Sequence, residues 1–170
     1  MKIQIPLSVN NRLPVWMLLM ATILLTVAQQ VNADTKPVDN TTAMESVVAI
    51  QKSLADDSLD KVKFHSEVIS TWVHEVASVE MDQKIVCKAL QKMGSEELNV
   101  VRKAYKEFNT HLIKYLKAHP LDTQEYREAY CPMAKAGWVQ KGNEIANPYY
   151  GKSMLKCGTF KKTGGQITPQ

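Results

Sequence analysis

The sequence lacks most of the motifs that identify an enzyme. It contains no glycine-rich phosphate-binding loop, no nucleophile elbow and no pair of carboxylates at a catalytic spacing. None of its histidines forms an i, i+4 pair with another, so the ordinary zinc-binding pattern is also missing. We therefore expect no enzymatic activity and no zinc site of the usual kind.

The charged residues do not form the basic stripe that nucleic-acid binding requires. The formal net charge is +4, and acidic and basic residues alternate along the chain. Residues 1–33 contain Lys2 and Arg12 and no acidic residue, so their removal would lower the net charge from +4 to +2. We exclude nucleic acid as a partner.

The N-terminus has the pattern of a secretory signal peptide. Lys2 and Arg12 precede an apolar stretch over residues 13–28, and a polar exit ends at Ala33. The stretch contains Pro14 and is shorter than the roughly 20 apolar residues that a spanning helix needs. We expect cleavage after Ala33, a periplasmic location and no stable membrane insertion of the product. An uncleaved N-terminal anchor is the alternative.

The rest of the chain suits one helical domain. Residues 34–41 predict a flexible leader, residues 42–160 the domain and residues 161–170 a disordered tail. Apolar residues recur at steps of three and four in four segments joined by short connections. This pattern predicts an all-α fold, an antiparallel bundle of about four helices with a loop-rich C-terminal segment packed on it. The helices are expected at about 43–54, 59–77, 82–93, and from a Ser95 cap to Pro120.

Sulfur-bearing side chains are concentrated in the C-terminal segment, in two short pairs. Thiolates and thioethers are soft ligands, which favour Cu(I) and similar monovalent ions such as Ag(I) over hard cations. Met154 and Cys157 are three residues apart, so one helical turn would place both on one side. The predicted metal ligands are Cys131, Met133, Met154 and Cys157.

A disulfide is the alternative use of the same cysteines. Cysteines that flank a folded loop in an exported protein commonly pair, and Met133 and Met154 would then be core residues. The reduced pair can bind a metal and the oxidised pair cannot. Cys87 is left over from a Cys131–Cys157 pair, either as a small buried thiol or as a third ligand. A thiol enzyme based on Cys131 would require a base beside it, which no motif supplies.

The NPYYG stretch predicts a turn with an aromatic lid. Pro148 fixes one backbone dihedral angle, and Gly151 permits an unusual one. Aromatic residues in such a loop are expected to anchor it against the helices. The predicted loop and lid residues are Trp138, Asn147, Pro148, Tyr149, Tyr150 and Gly151.

Four stretches of this segment carry a resemblance to a known family, namely YCPMA, GWVQ, NPYYG and MLKCG. They resemble an exported bacterial domain without an assigned activity, which occurs alone and fused to the periplasmic adaptor proteins of copper and silver efflux pumps. The resemblance extends to Leu54, Asp57, Arg102 and Phe108. The stretch between the CPMA and GWVQ signatures is shorter than in the family, and Val139 stands where leucine is usual.

This resemblance implies a heavy-metal role, with envelope efflux components as partners. With the soft-ligand chemistry, it predicts a periplasmic protein that binds or buffers copper in heavy-metal efflux or homeostasis. The alternative prediction is an envelope interaction module without metal, in which a Cys131–Cys157 disulfide holds the aromatic loop.

Overall fold

The structure, a computed structural model, describes residues 37–75, 81–121 and 125–161. Within these residues, four α-helices precede a three-stranded antiparallel sheet, and a short 3₁₀ helix at Gly151–Met154 lies between the last two strands. The predicted signal peptide lies outside the described residues, as do residues 34–36 of the predicted leader and residues 162–170 of the predicted tail. The helices are α1 (Asn40–Ala55), α2 (Val62–Glu75), α3 (Gln83–Lys92) and α4 (Leu98–Ala118), and the strands are β1 (Tyr126–Cys131), β2 (Ala136–Lys141) and β3 (Thr159–Phe160).

Side-chain caps fix the start of two helices. The carboxylate of Asp39 accepts a hydrogen bond from the Thr42 N–H (2.7 Å) at the start of α1. Asp82 caps α3 in the same way. Helix α4 differs from the expectation of a Ser95 cap, because its N-cap is Glu97, whose side chain makes no capping bond. The Ser95 hydroxyl instead accepts from the Glu97 N–H (3.1 Å).

One hydrophobic core joins the helices to the sheet. Consecutive helices pack on each other, and β2 packs on α4 and α1. The polar atoms of large core residues are satisfied from α1. The Trp72 indole donates to the Asn40 side chain (2.9 Å), and the Tyr105 hydroxyl donates to the Val47 carbonyl (3.2 Å). The C-terminal segment therefore packs on a well-packed layer of helices.

The prediction of an all-α fold is wrong, because the C-terminal segment folds into a sheet. The strand order is β2-β1-β3, and both pairings are antiparallel. In the register of β1 with β2, Tyr126 faces Lys141 and Cys131 faces Ala136. In that of β1 with β3, Tyr130 faces Thr159. The fold is mixed, with helices and an antiparallel sheet sharing one core.

Three local features explain why the sequence pattern does not predict the sheet. Strand β1 has the sequence YREAYC and buries residues on both faces, so the apolar and polar positions do not alternate. Its Arg, Glu and Ala favour helices, and packing overrides that preference. The β1–β2 turn covers residues 132–135 and places Lys135 at φ +48°. Hairpins usually use Gly or Asn at such a position, so the expected turn signature is absent.

The length and polarity of the helices decide whether any of them could span a membrane. Among the helices of the described residues, none combines enough length with enough apolar character to cross a bilayer.

Candidate functional site

The sheet brings two of the predicted ligands together. Cys131 ends β1, and Cys157 lies two residues before β3, which runs antiparallel beside β1. The two sulfur atoms are 3.1 Å apart, and both cysteines are free thiols. Residues 26 positions apart in sequence thus form a thiol pair at one end of the sheet.

The environment of Cys131 favours its thiolate. The side chain is buried, and burial is the largest influence on its pKa, acting to raise it. Hydrogen bonds from the Ala134 N–H (3.4 Å), the Cys157 thiol, the Asn147 side chain and the Met133 N–H act in the opposite direction. Together they hold the pKa of Cys131 below its ordinary value.

Cys157 has the opposite character. It is partly exposed, and its pKa is raised, first by the hydrogen bond to Cys131, then by burial and by the charge of the neighbouring thiolate. The pair is therefore asymmetric. Cys131 is the sulfur that gives up its proton first, and Cys157 is the thiol that donates a hydrogen bond to it.

The two predicted methionine ligands lie beside the thiol pair in sequence and differ in exposure. Met133 is in the β1–β2 turn with 61% of its surface exposed. Met154 ends the 3₁₀ helix and is partly exposed, and its carbonyl accepts from the Cys157 N–H (3.0 Å). In the part of the chain that the structure describes, neither thioether sulfur shares a hydrogen bond with the thiols.

Asn147 joins the predicted NPYYG turn to the thiol pair. It is fully buried, and its Nδ2 donates to the Cys157 carbonyl (2.6 Å). Its Oδ1 accepts from the backbone N–H groups of Tyr149 (2.8 Å) and Tyr150 (3.3 Å). One amide side chain therefore fixes both the turn around Pro148 and the backbone that carries Cys157.

Two of the predicted lid residues, Trp138 and Tyr149, pack against each other. Trp138 is fully buried on β2, and its ring meets that of Tyr149 edge to face, with centroids 5.8 Å apart. The Tyr149 hydroxyl donates to the Gly137 carbonyl, and burial raises the pKa of Tyr149 well above its ordinary value. A Cβ added at Gly158 would lie 2.7 Å from the Trp138 ring. The Trp138 ring therefore packs directly against the backbone that follows Cys157.

An ion pair between Arg102 and Asp57, which no sequence pattern predicts, connects the NPYYG turn to the helices. The Arg102 Nη2 atom donates to Asp57 (2.5 Å) and to the Leu54 carbonyl (2.8 Å), and its Nε atom donates to the Pro148 carbonyl (3.0 Å). The hydrogen bond from Arg102 is the main reason that the pKa of Asp57 is lowered. Gly151 sits against this pair at φ +56°, where a Cβ would lie 1.9 Å from an Asp57 oxygen.

The only signal for this ion pair in the sequence is the family resemblance, which includes Leu54, Asp57 and Arg102 without giving them a role. The structure supplies one. These residues connect the end of α1, the first turns of α4 and the turn that carries Gly151.

Cys87 stands apart from the thiol pair in its contacts. It lies on α3, and its sulfur is 3.5 Å from Nε2 of His74 on α2. In residues 37–75, 81–121 and 125–161, no three His, Cys, Asp or Glu side chains gather in a metal-binding group. A metal at the thiol pair would therefore depend on two cysteines and on nearby thioethers.

Comparisons with known proteins add nothing to this geometry. No family model, no curated protein and no solved structure matches the chain.

Proposed function

We propose that this chain is a periplasmic protein that binds or buffers a soft metal ion, with Cu(I) or Ag(I) as its cargo. The observation that carries the proposal is the pair of free thiols of Cys131 and Cys157, with 3.1 Å between their sulfur atoms. Two adjacent thiolates provide a soft site that excludes hard cations such as Mg²⁺ and Ca²⁺.

The asymmetry of the pair suits metal capture. A cysteine must lose its proton to bind a metal, so affinity depends on the pKa of the thiol. Cys131, with its lowered pKa, offers the first thiolate, and Cys157 loses its proton when the metal arrives. Metal uptake by the reduced chain should therefore release protons.

Binding requires a small movement of one sulfur. Metal–thiolate bonds of about 2.3 Å at a trigonal angle place two sulfur atoms about 4 Å apart. The present separation of 3.1 Å must therefore widen by about 1 Å. Cys131 is buried in a strand, whereas Cys157 is partly exposed between the 3₁₀ helix and β3. We expect Cys157 to make the movement.

The thioethers supply further soft donors. Met133 lies two residues after Cys131, and Met154 lies three residues before Cys157. The large exposed fraction of Met133 suits a cargo that is to be passed on, because an exposed donor is open to exchange with a partner. The resemblance to domains of copper and silver efflux systems favours envelope efflux components as that partner.

A Cu(I) competition titration of the reduced protein against a chromophoric chelator tests the proposal. Cys131→Ser and Cys157→Ser should each weaken Cu(I) binding by more than about tenfold, because loss of a ligand costs at least as much as loss of its supporting group. Cys87→Ser is the matched control and should leave the affinity unchanged. The proposal would be contradicted if all three variants bound Cu(I) with the affinity of the unaltered protein.

The same geometry favours a second candidate, an envelope interaction module held by a Cys131–Cys157 disulfide. A disulfide needs the sulfur atoms to approach from 3.1 Å to about 2.05 Å, a movement as small as the one that metal binding needs. Intact mass with and without reductant separates the two candidates. A mass two hydrogens lower before reduction, with no metal uptake after it, would favour the interaction module.

A further inference from the structure

A cleft between α4, the β1–β2 turn and the NPYYG turn carries its own set of polar groups. It has a volume of about 340 Å³, at the lower end of the range of small-ligand pockets, about 300–1,000 Å³. Helix α4 forms one wall and the NPYYG turn the other. Its lining residues are Asn99, Arg102, Lys103, Lys106, Ala134, Tyr149 and Tyr150.

The charge of the cleft is positive and largely uncompensated. Three of its lining residues are cations, and none is acidic. Arg102 is paired with Asp57, but the Lys106 ammonium donates to the neutral carbonyl of Ala134 (2.6 Å), which leaves its charge in place. The Lys103 ammonium makes no hydrogen bond or ion pair with the described residues. The cleft therefore has two free positive charges beside a neutralised one.

Several donors at the cleft also lack partners. Arg102 uses Nε and Nη2 in its hydrogen bonds, and within the described ranges Nη1 has none, although the side chain is only 13% exposed. The Tyr150 hydroxyl and the Asn99 amide are likewise without partners there. The first turns of α4 add the positive end of a helix dipole at Asn99 and Arg102.

From these observations we infer that the cleft binds a small organic anion with at least two carboxylate groups. One carboxylate would accept a hydrogen bond from Nη1 of Arg102, the guanidinium nitrogen that has no partner among the described residues, and the other would pair with Lys103 and Lys106. Tyr149 and Tyr150 would contact the carbon skeleton of the ligand. The volume suits a small molecule, and the absence of acidic lining residues leaves the charge to be balanced by the ligand.

Calorimetric titration of the full chain with citrate, at constant ionic strength, tests this inference. Citrate should bind saturably in a 1:1 ratio, and acetate, with a single carboxylate, should bind at least about tenfold more weakly. Lys103→Gln should weaken citrate binding by about five- to tenfold. Lys103 makes no hydrogen bond or ion pair with the described residues, so Lys103→Gln should retain the fold. A thermal melt checks this.

Lys114→Gln is the matched control, because Lys114 is an exposed lysine on the same helix that does not line the cleft. It should change citrate affinity less than about twofold. The inference is overturned if citrate does not saturate, if Lys114→Gln weakens binding as much as Lys103→Gln, or if phosphate binds while citrate does not.

Discussion

Gly151 offers a sharp test of how the helices hold the candidate site. Its φ of +56° is a left-handed conformation, and its Cα faces the Asp57–Arg102 ion pair. A Cβ at this position would lie 1.9 Å from the Asp57 Oδ1 atom and 2.2 Å from the Arg102 Nη2 atom. Gly151→Ala must therefore displace the ion pair or the turn.

The expected cost has two parts. A left-handed conformation costs an L-residue about 1–2 kcal/mol. The clashing atoms belong to the ends of the Asp57 and Arg102 side chains, so the clash is relieved only if both side chains move away. That movement breaks at least one hydrogen bond of a charged group, worth about 1.5–3 kcal/mol. We expect a loss of about 2.5–5 kcal/mol in the free energy of unfolding, which corresponds to a melting temperature lower by about 10–20 °C.

Chemical and thermal denaturation of Gly151→Ala measure this loss, with Gly142→Ala as control. Gly142 also has a positive φ, +86°, but an added Cβ there meets no atom within 4 Å. The control therefore carries only the conformational cost of about 1–2 kcal/mol. Equal losses in the two variants would refute the reasoning, because the contact of Gly151 with the ion pair would then contribute nothing.

Three further predictions concern the thiol pair and its supports. In a Cys87→Ser background, the thiolate absorbance should show that Cys131 titrates below the ordinary thiol pKa. Cys157→Ala should raise the pKa of Cys131 because it removes a hydrogen-bond donor to that sulfur. An unchanged titration of Cys131 would contradict this prediction. Because the pKa of Asp57 is lowered, the stability from its ion pair is fully present above the ordinary carboxyl pKa of about 4 and is lost as the pH falls through the lowered value. Melting temperatures of Asp57→Asn should accordingly vary less between about pH 5 and pH 2 than those of the unaltered chain, and equal slopes would count against the ion pair. Asn147→Ala should lower the free energy of unfolding by about 2–4 kcal/mol, because buried backbone groups lose their hydrogen-bond partners. The control is Asn143→Ala at an exposed position, which should lower it by less than about 1 kcal/mol. Similar denaturation midpoints in the two variants would refute the role of Asn147.

The helical part of the fold could be predicted because each helix has one buried face. The stripe of Ala43, Val47, Ile50 and Leu54 is a direct signal of this kind, and all four residues are buried. The sheet gives no equivalent signal, since β1 is buried on both faces and its turn relies on Lys135 at a positive φ. A segment without a sustained apolar period is also typical of a loop, so the sequence pattern predicted the wrong fold class for this chain.

The site was only partly accessible to sequence reasoning. The soft chemistry of Cys131 and Cys157 follows from residue type, but their 3.1 Å separation depends on the pairing of β1 with β3, which no local pattern encodes. The Asp57–Arg102 ion pair joins residues 45 positions apart, neither of which has a distinctive spacing. Contacts between distant polar residues are set by packing, so the resemblance could mark these residues but could not supply their role.

The most direct test of soft-metal binding is X-ray absorption at the copper edge of the reduced protein loaded with one equivalent of Cu(I). We expect a first shell made only of sulfur, at about 2.3 Å, that loses intensity in the Cys131→Ser and Cys157→Ser variants and is unchanged in Cys87→Ser. A first shell of nitrogen or oxygen, or a sulfur shell that persists without both Cys131 and Cys157, would contradict it.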